Sequence, residues 1–245
     1  MAGIKESPRQ RMIGMMYLVL TALLALNVSK EVLQAFNNLT RGISETVMST
    51  EEKIRVDVAG FKEQIARMDD DSLAQLYLDR VEKAVSMSDT LFNKIESVKK
   101  IMVEAEENQK YDDGPESFKG SNMLVLIDED NTDVPSRILA DPNQANKAYG
   151  KDLKELINYT KVEYVKLFNG LPNADAKKLD ALQKAFTLTA DDDLTNPDIS
   201  KRNWEFTTFN NVPLGAALAI LTKIQNDLRN TESMVVSELT SEFSN

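Results

Sequence analysis

From Met12 to Leu26 the chain runs through fifteen residues without a charge, and Lys5, Arg9 and Arg11 stand immediately before them. A basic start and a short apolar run suit either a cleaved leader or a membrane anchor. A leader needs a small-x-small cleavage site, and none follows, because Ala22 and Ala25 are three residues apart. The run is therefore read as an uncleaved anchor. Basic residues before it and an acidic remainder after it predict a cytoplasmic N-terminus.

Length limits that anchor. A hydrocarbon core of about 30 Å takes about 20 helical residues at about 1.5 Å each. Counted from Met12, the span reaches Glu31, so Asn27, Lys30 and Glu31 fall in its far-side part. At about 100° per residue, Arg9, Tyr17, Asn27 and Glu31 share a polar stripe about 80° wide. Gly14, Thr21, Ala25 and Ser29 form a second stripe of small residues, which lets helix backbones approach closely in lipid. Two readings of Glu31 stand side by side. It marks the water interface, with Lys30 snorkelling beside it, or it is an intramembrane carboxylate, a costly group that usually belongs to an ion or proton pathway.

Composition narrows what lies beyond the span. The formal net charge of −10 argues against a nucleic-acid partner. The chain has no cysteine and no histidine. That excludes disulfides, thiolate metal sites and a thiol nucleophile, and removes the commonest general base and transition-metal ligand. The sequence offers no Gly-rich phosphate loop and implies no cofactor and no enzyme.

The remainder reads as helix. Val47, Ile54, Phe61 and Met68 recur every seven residues, with Ile43, Val58 and Ile65 at the alternate positions, and no proline interrupts them. The span is expected to run straight into this seam. Leu73, Leu76, Ala84, Leu91, Ile95, Val98 and Met102 form a second seam, which predicts two long antiparallel helices from about Glu31 to Glu107 with Asp69, Asp70 and Asp71 at the turn. Glycines and prolines punctuate Tyr111 to Ala148, where Met123 to Ile127 is a lone strand-like run or a buried apolar linker. Helix resumes at Leu153, Leu156, Ile157, Val165 and Phe168. A short helix is expected from about Asn173 to Phe186, loop from Thr189 to Val212, and a last long helix from about Pro213 carrying Leu214, Leu218, Leu221, Ile224, Leu228 and Val235. The fold class is mainly α: one transmembrane helix continuing into a helical bundle. The divisions are residues 1–11 before the membrane, 12–36 across it and 37–245 as the bundle.

Two acidic runs imitate calcium loops. The run beginning at Asp128 lacks the glycine at its sixth position and has Leu139 at its twelfth, while that at Asp191 to Asp193 has Arg202 at its twelfth. Both are read as solvated turns. Trp204, Phe206 and Phe209 are read as core packing or a loop anchor.

The order Ser7-Pro8-Arg9-Gln10, then Met15-Met16-Tyr17-Leu18-Val19, then Ala25-Leu26-Asn27-Val28-Ser29-Lys30-Glu31-Val32-Leu33 resembles the N-terminus of the GldM/PorM family. That family supplies the inner-membrane motor subunit of gliding motility and type IX secretion. The resemblance implies a homodimer whose two spans sit inside a pentamer of a GldL-like membrane protein, with proton flow driving one part against the other. It carries Arg9, Tyr17 and Glu31 over as polar span residues. It also implies that this chain is the span plus a helical first periplasmic domain. Further β-rich domains of longer members would reach an outer-membrane-associated ring. A passive membrane-anchored periplasmic scaffold is the competing function, since it needs the anchor but no aligned polar stripe.

Overall fold

The computed structural model describes residues 8–26, 30–68, 72–105, 111, 129–141, 149–172 and 176–244. Within them the chain forms α1 (Pro8–Leu26), α2 (Lys30–Ala66), α3 (Ser72–Glu104), α4 (Asp133–Pro135, running on as a π-helical turn Ser136–Ala140), α5 (Tyr149–Lys166), α6 (Ala176–Ala185), α7 (Trp204–Phe209) and α8 (Leu214–Ser244). No strand occurs among the described residues, and Met123 to Ile127 lies outside them.

The seven-residue recurrence shapes α2. Leu33, Thr40, Val47, Ile54 and Phe61 are its buried residues, each seven from the last. Met68, placed in this seam from sequence, is exposed because the helix has already ended at Ala66. In α3 the buried side chains alternate at spacings of three and four through Tyr77, Val81, Ala84, Ser88, Leu91, Ile95, Val98 and Met102, a coiled-coil seam. Leu73, expected in that seam, is exposed at its start.

α2 and α3 are the two long antiparallel helices expected, but α8 supplies the main contact of each. Leu33 Cδ2 lies 4.0 Å from where a Cβ on Gly215 would stand, Glu51 reaches Arg229 and Phe61 meets Phe243. So α2 and α8 run parallel along their whole length. Tyr77 also meets Phe243, Asp89 meets Arg229 and Lys99 meets Gln225, which sets α3 antiparallel to both. The main contacts of α2 are with α8, and α3 packs on α8 and α5. The reason lies in α8, which buries nineteen residues spread over most of its circumference. A helix apolar on several sides takes the centre of a bundle, and the two amphipathic helices before it then each cover one flank. The proposed turn at Asp69 to Asp71 lies outside the described residues.

The later segments depart from expectation in two places. The stretch expected to be loop, Thr189 to Val212, contains a 3₁₀ turn at Ile199–Lys201 and α7. There Trp204 and Phe209 are buried edge to face, ring centroids 5.5 Å apart, so these two rings of the aromatic cluster are core, while Phe206 is half-buried. Within the segment expected to be loop between Tyr111 and Ala148, α4 and its π-helical turn bury Val134, Pro135, Ile138, Leu139 and Ala140. The acidic turns have local work. Asn131 Oδ1 accepts the backbone N–H groups of Asp133 and Val134, and Asp192 Oδ1 accepts that of Trp204, each fixing the start of a helix.

Candidate functional site

The N-terminal positions come first. Arg9, Thr21 and Ala25 lie on the helical backbone of α1, but their side chains are outside the described residues, and Asn27 and Ser29 are outside them altogether. The expectation of one unbroken helix meets the same boundary: α1 ends at Leu26 and α2 begins at Lys30. Among the described residues no helix is long and apolar enough to cross a membrane. The uncharged run of α1 is short by several residues, as its length already indicated. Met12, Ile13, Met15, Met16, Tyr17, Leu18 and Val19 are all more than half exposed. A Cβ built on Gly14 meets nothing within 4 Å. Glu31 is exposed in the first turn of α2, where the helix dipole favours a carboxylate.

A second group of charges, unforeseen from the sequence, sits at the middle of the bundle. Arg229 of α8 is buried, and its guanidinium ties three helices together. Its Nη1 donates to Glu232 Oε2 at 2.8 Å and to Ser88 Oγ at 3.1 Å. Its Nη2 lies 2.9 Å from Asp89 Oδ1 on α3 and 3.5 Å from Glu51 Oε1 on α2. The ring of Phe92 lies 4.7 Å from its central carbon, within cation–π range. Burial works against the charge, yet Glu232, Asp89 and Glu51 hold the guanidinium above its ordinary value. Glu232 is 1% exposed, and its Oε1 has no hydrogen-bond partner; burial pushes its carboxyl up. The nearby Tyr164 phenol is also pushed up by burial and by Glu232. A groove of about 370 Å³ between α2 and α3 opens over this cluster, walled by Ile54, Val58 and Val85.

One turn back along α8, Gln225 holds a second buried polar group. Lys99 donates to Gln225 Oε1 and to Glu96 Oε1. Gln225 Nε2 donates to Glu96 at 2.7 Å, and the Tyr111 hydroxyl donates to the same carboxylate at 2.8 Å. Burial lowers Lys99 to about 8, opposed by Glu96. For Glu96 burial acts upward, but Lys99, Gln225 and Tyr111 together bring it below its usual value. Lys99 and Glu96 pair one cation with one carboxylate, while Arg229 faces three carboxylates, of which Asp89 and Glu51 stay half exposed to water; pairing and hydrogen bonding of this kind are how buried ions are tolerated. The sequence held one signal of this belt: Gln225, Arg229 and Glu232 interrupt an otherwise apolar face between Leu221 and Val235.

At the start of α5 lies a third feature, a cavity of about 450 Å³ bordered by Lys154, Glu205 and the end of the π-helical turn. Lys154 binds Asp192 at 2.5 Å and lies 3.7 Å from Glu205.

Fold and site together define an elongated helical bundle whose central charges are spent on holding helices to one another. The chain belongs to the GldM family, since it matches the GldM N-terminal domain over residues 31–242. Members of that family are membrane-associated components of the gliding-motility and type IX secretion machinery. The match begins at Glu31 and thus covers the bundle without α1. A comparison with curated proteins finds no match.

Proposed function

We propose that this chain is a subunit of a proton-motive-force-driven rotary motor that powers gliding motility and type IX protein secretion. In this reading α1, extended through Glu31, crosses the inner membrane once with its N-terminus in the cytoplasm. Two copies sit within a pentamer of a GldL-like subunit. Glu31 is the ionisable group of the span, Arg9 a counter-charge for a partner carboxylate, and Tyr17 and Asn27 hydrogen-bonding elements of the same stripe. The small residues Gly14, Thr21, Ala25 and Ser29 pack the two spans together.

The observation that carries the reading is the family match over a bundle whose longest helix begins within one residue of Glu31. Its 37 residues make a rod about 55 Å long at about 1.5 Å per residue. Sustained contact with α8 stiffens it, so motion at its foot is carried outward. The energy scale is adequate, since one charge crossing is worth roughly 2.3 kcal/mol per 100 mV.

The test is Glu31→Gln in cells carrying the full-length protein. The substitution keeps shape and removes the titratable proton. Membrane insertion, dimerisation and partner binding are expected to persist while gliding or secretion is lost. Normal output from a well-expressed variant would leave the passive periplasmic scaffold as the function.

A further inference from the structure

The α2 seam is degenerate under translation. Leu33, Thr40, Val47, Ile54 and Phe61 repeat at intervals of seven, so sliding α2 by one heptad, about 10 Å, presents nearly the same surface to α8. Apolar seams of this kind specify register weakly, and a single buried polar contact is the usual means of fixing it. The row beside the seam, four residues on from each member, reads Asn37, Ser44, Glu51, Val58, Ile65. Glu51 is the only acid in it. In the observed register Glu51 stands opposite Arg229. One heptad in either direction would put Ser44 or Val58 there and leave the guanidinium without its α2 carboxylate.

We infer that the Arg229 cluster is a register lock: it selects one axial position of α2 against α8 and α3 from several that the apolar seam would accept. Arg229 is joined to α8 itself through Glu232 and to α3 through Asp89 and Ser88, so the lock is anchored on two helices and reads the third. Of the other ties from α2 among the described residues, the hydrogen bond of Asn37 to Glu129 Oε1 at 2.8 Å is part-buried, and none ends on a buried charge as that of Glu51 does at Arg229. Lys62 pairs with Glu82 at 2.7 Å with both side chains half exposed, and Lys53 reaches Ser233 at 3.4 Å at the surface. Such contacts discriminate little. The inference concerns the bundle alone and stands whether or not the chain works as a motor.

Spin labels at Asp57 of α2 and Ser237 of α8, both exposed, read the axial offset of these parallel helices in the full-length chain. Arg229→Ala alone would strand Glu232 in the core and is a poor probe. Arg229→Met with Glu232→Met removes the buried pair as a unit and keeps the volume apolar. Glu51→Val, at a half-exposed position, removes the carboxylate of the flanking row without touching the core. The wild type is expected to give one narrow distance distribution. Both variants are expected to remain folded with an added population displaced by the equivalent of one heptad, larger in the double variant. If the double variant does not fold, Glu51→Val decides. A single, unshifted distribution in a folded Glu51→Val protein overturns the inference.

Discussion

Phe61 of α2 stands edge-on to Phe243 of α8, with ring centroids 5.5 Å apart and planes at 84°. Tyr77 of α3 meets the same Phe243 at 5.4 Å, so one ring closes the far end of all three helices. Phe243→Ala is expected to cost about 2 kcal/mol, below the range for a fully buried phenylalanine because this ring is only partly buried. Amide exchange should accelerate in the last turns of α2 and α8 and stay unchanged around Leu91 and Leu228. Uniform loss of protection would mean that this end does not open separately.

Lys99 makes stability depend on alkaline pH. Its folded value of about 8 lies below the ordinary 10.5, so between these values the unfolded chain holds a proton that the folded chain has released. Stability therefore rises with pH across that window, and the cost of the buried ammonium is present in full below about 8. The expected gain is up to about 3 kcal/mol. Lys99→Met should remove the slope and leave the protein at least as stable at neutral pH. Chemical denaturation on either side of the window measures both; an equal slope in the variant would assign it to another group.

Much of the helical framework was legible because its signal is periodic. The seven-residue recurrence located α2, and the row from Leu214 to Val235 located α8, since in each case burial selects a stripe that repeats along one chain segment. The antiparallel course of α2 and α3 was legible, but the neighbours of α8 were not. That α8 lies against both α2 and α3 depends on α8 being buried over most of its circumference, and a one-face reading of Leu214, Leu218 and Leu221 hides it. The Arg229 cluster escaped for a related reason. Arg229 and Glu232 look like a surface i,i+3 pair in sequence, and only the partners on α2 and α3 make them interior. Thr189 to Val212 was read as loop because its short α7 spans less than two helical turns and leaves little periodicity.

Gly150 is the most tightly packed of the described glycines. A Cβ there would lie 2.0 Å from the backbone oxygen of Leu139 and 2.8 Å from Glu205 Cβ. A backbone oxygen in the π-helical turn cannot move aside as a side chain can. Gly150→Ala is therefore expected to destabilise by at least about 2 kcal/mol, even though alanine favours helix by about 1 kcal/mol over glycine. A thermal melt of the variant checks the sign, and a neutral result would show that α5 can shift away from Leu139.

If two copies of the proposed span pack together, the row of small residues predicts where they meet. Single cysteines placed through α1 and on to Ser29 should crosslink between copies most efficiently at the face of Gly14, Thr21, Ala25 and Ser29, where small side chains admit close backbones. Strongest crosslinking on the Tyr17 and Glu31 face would reverse the assignment of the two faces.

The parallel run of α2 and α8 has a mechanical consequence. α2 begins at Lys30 and α8 runs to Ser244, and these points lie at opposite ends of the seam the two helices share. Opposed tension on them cannot peel one helix from the other a turn at a time, as it would in a hairpin whose ends lie together. It strains the contacts from Leu33 to Phe243 at once and along their length, as in a lap joint loaded in shear. Resistance then grows with the length of the overlap, and α2 and α8 overlap from end to end.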